Sequence, residues 1–333
     1  MSTNNFILGT MNINYAYTSN KDTSIRNYRN IIEIYIQNCI YNNSQPILDT
    51  AYYYGNTTTE KILGEILSNN SLSCIPKIAT KANPWLNNDF TNGQLGQLSK
   101  DGIEYQLKTS LTNLQTDKVD IFYLHCPDHE TSIYNTLEAC NTLWRKEKFN
   151  HLGISNYSKE QLNDICSICE SKGYIMPKYY QGMYNLICRK VEEIFPLLDE
   201  YNIEFWGYNP LAGGLLTGKY SNEVLEQSSL TSRFKGNSIY QNIFWKEPII
   251  KKLSSDFFIY DQLTCSEYSF QWLSRYSKMR INDKIIIGAS SVEQCKQNMK
   301  YIQHPILNYN HDILNKLNNI YTDIELWSPN YFY

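Results

Sequence analysis

A single α/β barrel, (β/α)8, is the fold class that this sequence predicts, and three observations predict it. Short apolar runs alternate from end to end with longer segments whose apolar residues fall at helical spacing. The runs number eight, as a closed parallel barrel requires. A polar or reactive residue also stands where nearly every run ends, as expected if those ends gather at one rim.

The expected strands, in order, are FILG (6–9), PILD (46–49), CIPKIAT (74–80), VDIFYLH (119–125), HLGIS (151–155), KYYQ (178–181), IEFWGY (203–208) and KIIIGAS (284–290). Between them the spacing predicts helices. Ile103, Leu107, Leu111 and Leu114 form one stripe, with Ser99 or Asp101 as its cap. Leu162, Ile165, Cys166 and Cys169 form another, opened by a capping box from Ser158 to Gln161. A third runs from Val191 through Ile194 and Leu198, and Pro196 within it predicts a break or kink. Ser291 and Gln294 open the last barrel helix with capping-box spacing. The Gly-, Ser- and Asn-rich segment at about 211–260 is expected to cover one end of the barrel, and a tail at about 324–333 to lie near the pocket. One domain then spans 1–333.

Bulk composition narrows the function. With 42% hydrophobic and 19% charged residues, a formal charge of −3 and pI near 6.0, there is no long basic surface for phosphates, so nucleic acid is not an expected partner. No apolar stretch approaches the ~20 residues of a membrane helix, and no targeting segment opens the chain. Nine scattered cysteines fit free thiols in a reducing compartment, which makes the cytoplasm the expected location.

The run ends carry the chemistry. Asp49, Lys81, His125, Ser155 with Asn156, Gln181, Tyr208 and Ser290 would gather at the carboxyl end of the barrel. Polar residues often end strands for structural reasons alone, but seven such positions at one rim suggest a site. Three phenols, Tyr52, Tyr53 and Tyr54, follow Asp49. A free phenol has a pKa of about 10 and is a poor acid near neutral pH. An ammonium beside it favours the phenolate, and a carboxylate fixes that ammonium. Lys81 and Asp49 are suited to those parts, and His125 to orienting a carbonyl.

The motifs LDTAYYYG, ATKANPW, FYLHCPDH, GISNYS, YQGMYN, YNPLAGGLLTGKY and GASSVEQCKQN, in this order over most of the chain, resemble the aldo-keto reductases. The likeness is strongest to the aflatoxin aldehyde reductase branch, with FWKE and a terminal PNYF besides, and weaker to potassium-channel beta subunits. The resemblance implies a barrel that binds NADPH without a Rossmann fold and reduces small carbonyl compounds by hydride transfer. It implies Tyr54 as general acid, Lys81 and Asp49 as its tuning pair, and His125 as the carbonyl-orienting group. It further implies Ser155, Asn156 and Gln181 at the carboxamide, and Tyr208 stacked on the nicotinamide. Asn209, Leu211, Gly213 and Lys219 would wrap the pyrophosphate, Arg233 would face the phosphates, and Gly288, Ser290, Gln294 and Asn298 would hold the adenosine end. A homodimer is the usual assembly of the branch, and no metal is implied.

Other readings of the same residues are weaker. Gly213, Gly218 and Lys219 have P-loop spacing, but Tyr220 stands where Mg²⁺ needs a Ser or Thr ligand. Cys166 and Cys169 form a CxxC with no second pair at zinc spacing. His125 and His129 flank Pro127, so helical ligand geometry is not expected. A cofactor-binding regulatory subunit is the alternative function, and a Schiff-base role for Lys81 a third. In the mammalian branch members, arginines suited to a substrate carboxylate are expected where this chain has Ile243 and Tyr333. An apolar pocket lined by Tyr53, Trp85, Tyr240, Phe244 and Tyr333 follows, which favours aromatic aldehydes, dialdehydes and quinones over acidic aldehydes.

Overall fold

Alternation along each strand builds the barrel and places the site. The computed structural model describes residues 5–13, 21–68, 72–89, 93–219, 238–257, 264–303 and 311–333. Strands β1 (Phe6–Gly9), β2 (Ile47–Asp49), β3 (Lys77–Ala82), β4 (Val119–Leu124), β5 (Phe149–Ser155), β6 (Pro177–Met183), β7 (Glu204–Tyr208) and β8 (Lys284–Gly288) pair in chain order and close into a barrel. All pairs are parallel, and closure is made by β1 against β8, from Phe6 opposite Ile285 to Gly9 opposite Gly288.

Parallel neighbours need long crossovers, and helices supply them. They are α1 (Lys21–Tyr41), α2 (Thr59–Leu67), α3 (Lys100–Leu114), α4 (Ile133–Arg145), α5 (Lys159–Lys172) and α6 (Phe195–Glu200). The β7 crossover carries α7 (Ser238–Phe244), α8 (Glu247–Asp256) and α9 (Cys265–Gln271), and α10 (Val292–Gln303) and α11 (His311–Ile324) follow β8. Among the described residues no helix is long and apolar enough to cross a membrane.

Residues two apart on a strand share a face. Inside the barrel one layer is a buried cluster of Ile7, Ile47, Ala79, Ile121, Tyr123, Trp206 and Ile286. Two positions further along the same faces come Asp49, Lys81, His125 and Tyr208, so the apolar filling ends where the polar rim begins. The filling is tight. A Cβ on Gly153 would lie 2.3 Å from the Tyr123 ring, so only glycine fits between that ring and β5.

Several elements depart from expectation for identifiable reasons. β3 begins at Lys77 and not at 74, because Pro76 has no N–H to give the ladder. It runs on through Lys81 to Ala82, and β8 stops at Gly288. Pro196 lies in the first turn of α6, after a separate 3-10 turn over Lys190–Ile194, so the expected kink is a break between two short helices. The Ser158 capping box forms in both directions. At α10 the Gln294 N–H donates to Ser291 Oγ (3.1 Å), but the Gln294 side chain accepts from Ser290 N and Oγ instead of Ser291. Within 211–260 the described part includes a 3-10 turn over Ala212–Thr217 as well as α7 and α8.

Candidate active site

Lys81 is the centre of the rim. Its side chain is wholly buried, yet Nζ is 2.9 and 2.8 Å from the two Asp49 oxygens, 2.8 Å from the Thr50 carbonyl and 3.4 Å from the Tyr54 hydroxyl. Strand geometry brings these together: Asp49 ends β2, Lys81 lies on neighbouring β3, and the loop after Asp49 turns Tyr54 back over the pair. Gly55, Asn56 and Thr57 all have positive φ (57°, 52° and 68°), and this left-handed stretch makes the turn after Tyr54. Nζ also lies 5.0 Å from the Tyr54 ring centre and 5.9 Å from that of Tyr123. Burial pulls the Lys81 pKa down, and the charge of Asp49 and its hydrogen bonds oppose the shift. With these contacts and no exposed surface, Lys81 has no open face on which to form a Schiff base.

The three phenols separate by burial. Tyr52 is 6% exposed and belongs to the core, whereas Tyr53 and Tyr54 are half-buried. Tyr53 packs edge-on against Trp85 (5.0 Å), and Trp85 in turn lies 5.3 Å from the His125 ring. Tyr54 meets His125 edge-on at 5.8 Å. His125 therefore sits between the proposed acid and an aromatic wall. Burial, and secondarily the Lys81 charge, push its pKa well below 6.5, so the ring is neutral at neutral pH and keeps one N–H donor. Its Nδ1 is buried without a hydrogen-bond partner. The neighbouring Cys126 thiol is pushed up to about 12 by burial and is no nucleophile.

Asn156 ties the far side of the rim together. With φ of 65°, it donates from Nδ2 to the His125 carbonyl (2.9 Å) and to Ser155 Oγ (3.1 Å), and it accepts at Oδ1 from the Tyr208 hydroxyl (2.8 Å). Gln181 donates to Asp49 Oδ1 at 2.9 Å, which links β6 to the Asp49–Lys81 pair. This link and the Thr50 carbonyl are parts of the site that no sequence signal announced, since one is a backbone atom and the other a side-chain pairing across the barrel.

The remaining expected positions fall in two groups. Asn209, also left-handed (φ 61°), accepts from Gly213 N at 2.7 Å and so shapes the turn that contains Leu211 and the left-handed Gly213 and Gly214. A Cβ on Gly214 would meet nothing within 4 Å, so this turn presents open backbone. Lys219 is exposed. Asn298 donates to the Gly288 carbonyl (3.0 Å), which fixes α10 against β8 beside the Ser290–Gln294 pair. Arg233 lies outside the described residues, as does the side chain of Tyr240. Phe244 is 0% exposed and packed into the main core, so it has no free surface to line an open pocket. Tyr333 is about half exposed and its N–H donates to the Asn156 carbonyl (3.2 Å), which seats the tail beside the rim. Cys166 and Cys169 are wholly buried in the core, as packing residues are.

The donor set fits a nicotinamide carboxamide. The Ser155 hydroxyl can donate to its oxygen and the Gln181 carbonyl can accept from its amide, while the half-buried Tyr208 ring lies alongside. The glycine turn leaves open space beside Gly214, while its own Gly213 and Gly214 N–H groups donate within the turn, to Asn209 Oδ1 (2.7 Å) and to the Leu211 carbonyl (2.8 Å).

A model of the aldo/keto reductase family matches residues 5–319. The human aflatoxin B1 aldehyde reductase member 4 is 40% identical over 265 residues, covering 76% of this chain and 78% of that protein. The rat aflatoxin B1 aldehyde reductase member 2 is 39% identical over 298 residues, covering 86% and 78%. Among solved structures, the glycerol dehydrogenase of Gluconobacter oxydans aligns with a TM-score of 0.74 at 20% identity, over 96% of this chain and 95% of that one. An aldo/keto reductase of Klebsiella pneumoniae in complex with NADP and acetate aligns with 0.64 at 19%, over 99% and 93%. At such identities these two speak for the fold, while the sequence matches speak for kinship. The chain belongs to the aldo/keto reductase family and is an oxidoreductase of that family.

Proposed function

We propose that this protein reduces small aldehydes to alcohols with NADPH, and that Tyr54 donates the proton. The observation that carries the reading is the wholly buried Lys81 ammonium, held by Asp49 and 3.4 Å from the Tyr54 hydroxyl. NADPH, when bound, supplies the hydride. Ser155 and Gln181 would hold its carboxamide, Tyr208 its ring, the turn at Asn209–Gly213 its phosphates, and Gly288, Ser290, Gln294 and Asn298 its adenosine end. The protein's own part is to place the carbonyl oxygen within reach of two donors. Neutral His125 offers one N–H, and Tyr54 offers the hydroxyl whose proton leaves as the oxygen gains charge. Lys81 stabilises the phenolate left behind, and Asp49 and the Thr50 carbonyl keep Lys81 in place.

The substrate class follows from the wall. Tyr53, Trp85 and His125 form an aromatic face, and Ile243 and Tyr333 supply no guanidinium for a carboxylate. Neutral aromatic aldehydes, dialdehydes and quinones fit this face better than acidic aldehydes. The relatives at about 40% identity carry an aldehyde in their names, which agrees with the reaction type. A panel of carbonyl compounds with NADPH and with NADH tests the reading, run on the parent, Tyr54→Phe and Tyr52→Phe. Tyr54→Phe should lose about 10²- to 10⁴-fold in turnover while still quenching NADPH fluorescence, and Tyr52→Phe should keep most activity. Equal kcat/KM for succinic semialdehyde and 4-nitrobenzaldehyde would refute the substrate class.

A further inference from the structure

A second buried carboxyl stands behind the site. Glu60, in the first turn of α2, has no exposed surface. Thr80 Oγ1 donates to its Oε1 at 2.5 Å, while Oε2 is buried without a partner. Thr80 directly precedes Lys81 on β3, so the two side chains leave opposite faces of one strand, Lys81 into the barrel and Thr80 towards the helices. Five residues separate Glu60 from Tyr54, and the turn between them leads straight into α2. Gly64 allows α2 to press on α3, since a Cβ there would lie 2.1 Å from the Asn113 carbonyl. The carboxyl is thus shut between α2, α3 and β3.

A buried acid with one idle oxygen costs stability unless its charge is answered. The groups facing it are Thr80 and Lys81 from β3, Ser110 and Asn113 from α3, and Tyr52 from the turn, with Tyr105 of α3 beyond Tyr52. The one cation among them is Lys81, and the attraction is mutual: each group favours the charged form of the other. Lys81 therefore answers to two carboxyls, Asp49 in contact inside the barrel and Glu60 behind the strand.

We propose that Glu60 is a positioning residue of the Tyr54 site: anchored on Thr80, it is the second anion that keeps the Lys81 ammonium charged, and so preserves the acid's tuning at alkaline pH. The proposal rests on the reading of Tyr54 as proton donor. Burial lifts the Glu60 carboxyl to about 7, against the opposing pull of Thr80, Ser110, Asn113 and Lys81. It is therefore an anion above neutrality, where an already weakened Lys81 has most need of one, and protonated below, where Lys81 holds its proton unaided.

The test compares pH profiles of kcat/KM for the parent, Glu60→Gln and Tyr54→Phe, together with infrared titration of buried carboxyl bands in the protein without cofactor. Glu60→Gln keeps the shape and an acceptor for Thr80 but cannot ionise. Its alkaline limb should move to lower pH, so that activity above the limb falls several-fold while the ratio to the parent stays closest to one near pH 6. A loss by the same factor at every pH would mean a purely structural residue and would overturn the proposal. A carboxyl band titrating near neutral pH should be present in the parent and in Tyr54→Phe and missing from Glu60→Gln; its absence from the parent would also overturn it. Should Glu60→Gln not fold, Thr80→Val removes the anchoring donor, and the infrared midpoint should rise; an unmoved midpoint counts against the proposal. Full turnover by Tyr54→Phe would instead overturn the reading of the site, and this proposal with it.

Discussion

Burial gives His125 its protonation state, and the consequence can be measured on the folded protein. Its pKa lies well below 6.5, pushed there by burial and then by Lys81, while in the unfolded chain it returns to about 6.5. Below that value the unfolded chain binds a proton that the folded one refuses. The contribution to stability is therefore complete above about pH 6.5 and is lost as pH falls towards the folded value. The slope of unfolding free energy against pH between about 6.5 and 5 should be less positive for His125→Phe than for the parent, and equal slopes in urea titrations would contradict this assignment. Glu60 has the opposite sign. Its pKa is raised to about 7, so the folded state binds the extra proton, and its contribution falls as pH rises from about 4.5 to 7.

At the scale of elements, local chemistry decides where helices begin. The Ser158 hydroxyl accepts from Gln161 N (3.3 Å), and the Gln161 side chain accepts from Ser158 N (2.7 Å). Ser158→Ala should cost about 1 kcal/mol in chemical denaturation and leave kcat unchanged, although Ser155 and Asn156 lie only a few residues away. Such caps are legible because donor and acceptor are close in sequence. So were the eight strands, and with them the rim, because a short apolar run that ends in a polar residue is a local signal; β3 was displaced only by the backbone effect of Pro76. What was not legible depends on pairings across the barrel. The Gln181 bond to Asp49 spans 132 positions, and Phe244 was expected at a pocket but is enclosed in the core by the folding of the β7 crossover. Helix α1 was not singled out, although Tyr28, Ile32, Tyr35, Ile36 and Cys39 form a buried stripe, because its three asparagines and other polar residues blur the pattern. Glu60 left a faint trace, an acid on the same helical face as Leu63 and Gly64, all buried.

Across the whole molecule the chain's end returns to the site that its first half builds. Lys246 Nζ donates to the Trp327 carbonyl (2.8 Å), Ser328 Oγ to that of Ile187 (2.9 Å), and the buried Tyr331 donates to Glu193 Oε1 (2.7 Å). These contacts hold the tail on the segment after β6 and on the β7 crossover, and deliver Tyr333 N to the Asn156 carbonyl. Asn156 then passes the restraint on, to the His125 carbonyl and the Tyr208 hydroxyl. Deleting residues 328–333 removes the buried Tyr331 ring and the hydrogen bonds of Ser328, Tyr331 and Tyr333, which should lower stability by about 3 kcal/mol in chemical denaturation. The Lys81–Asp49 pair lies on the other side of the rim and makes no contact with the tail among the described interactions. The proton-donating group should therefore survive the deletion, and the pH profile of kcat with it. The carbonyl KM and the Kd for NADPH should each rise, by about tenfold or less, because His125 and Tyr208 are less firmly placed. A truncated protein with unchanged KM and Kd but a shifted pH profile would show that the tail acts on Lys81 and not through Asn156.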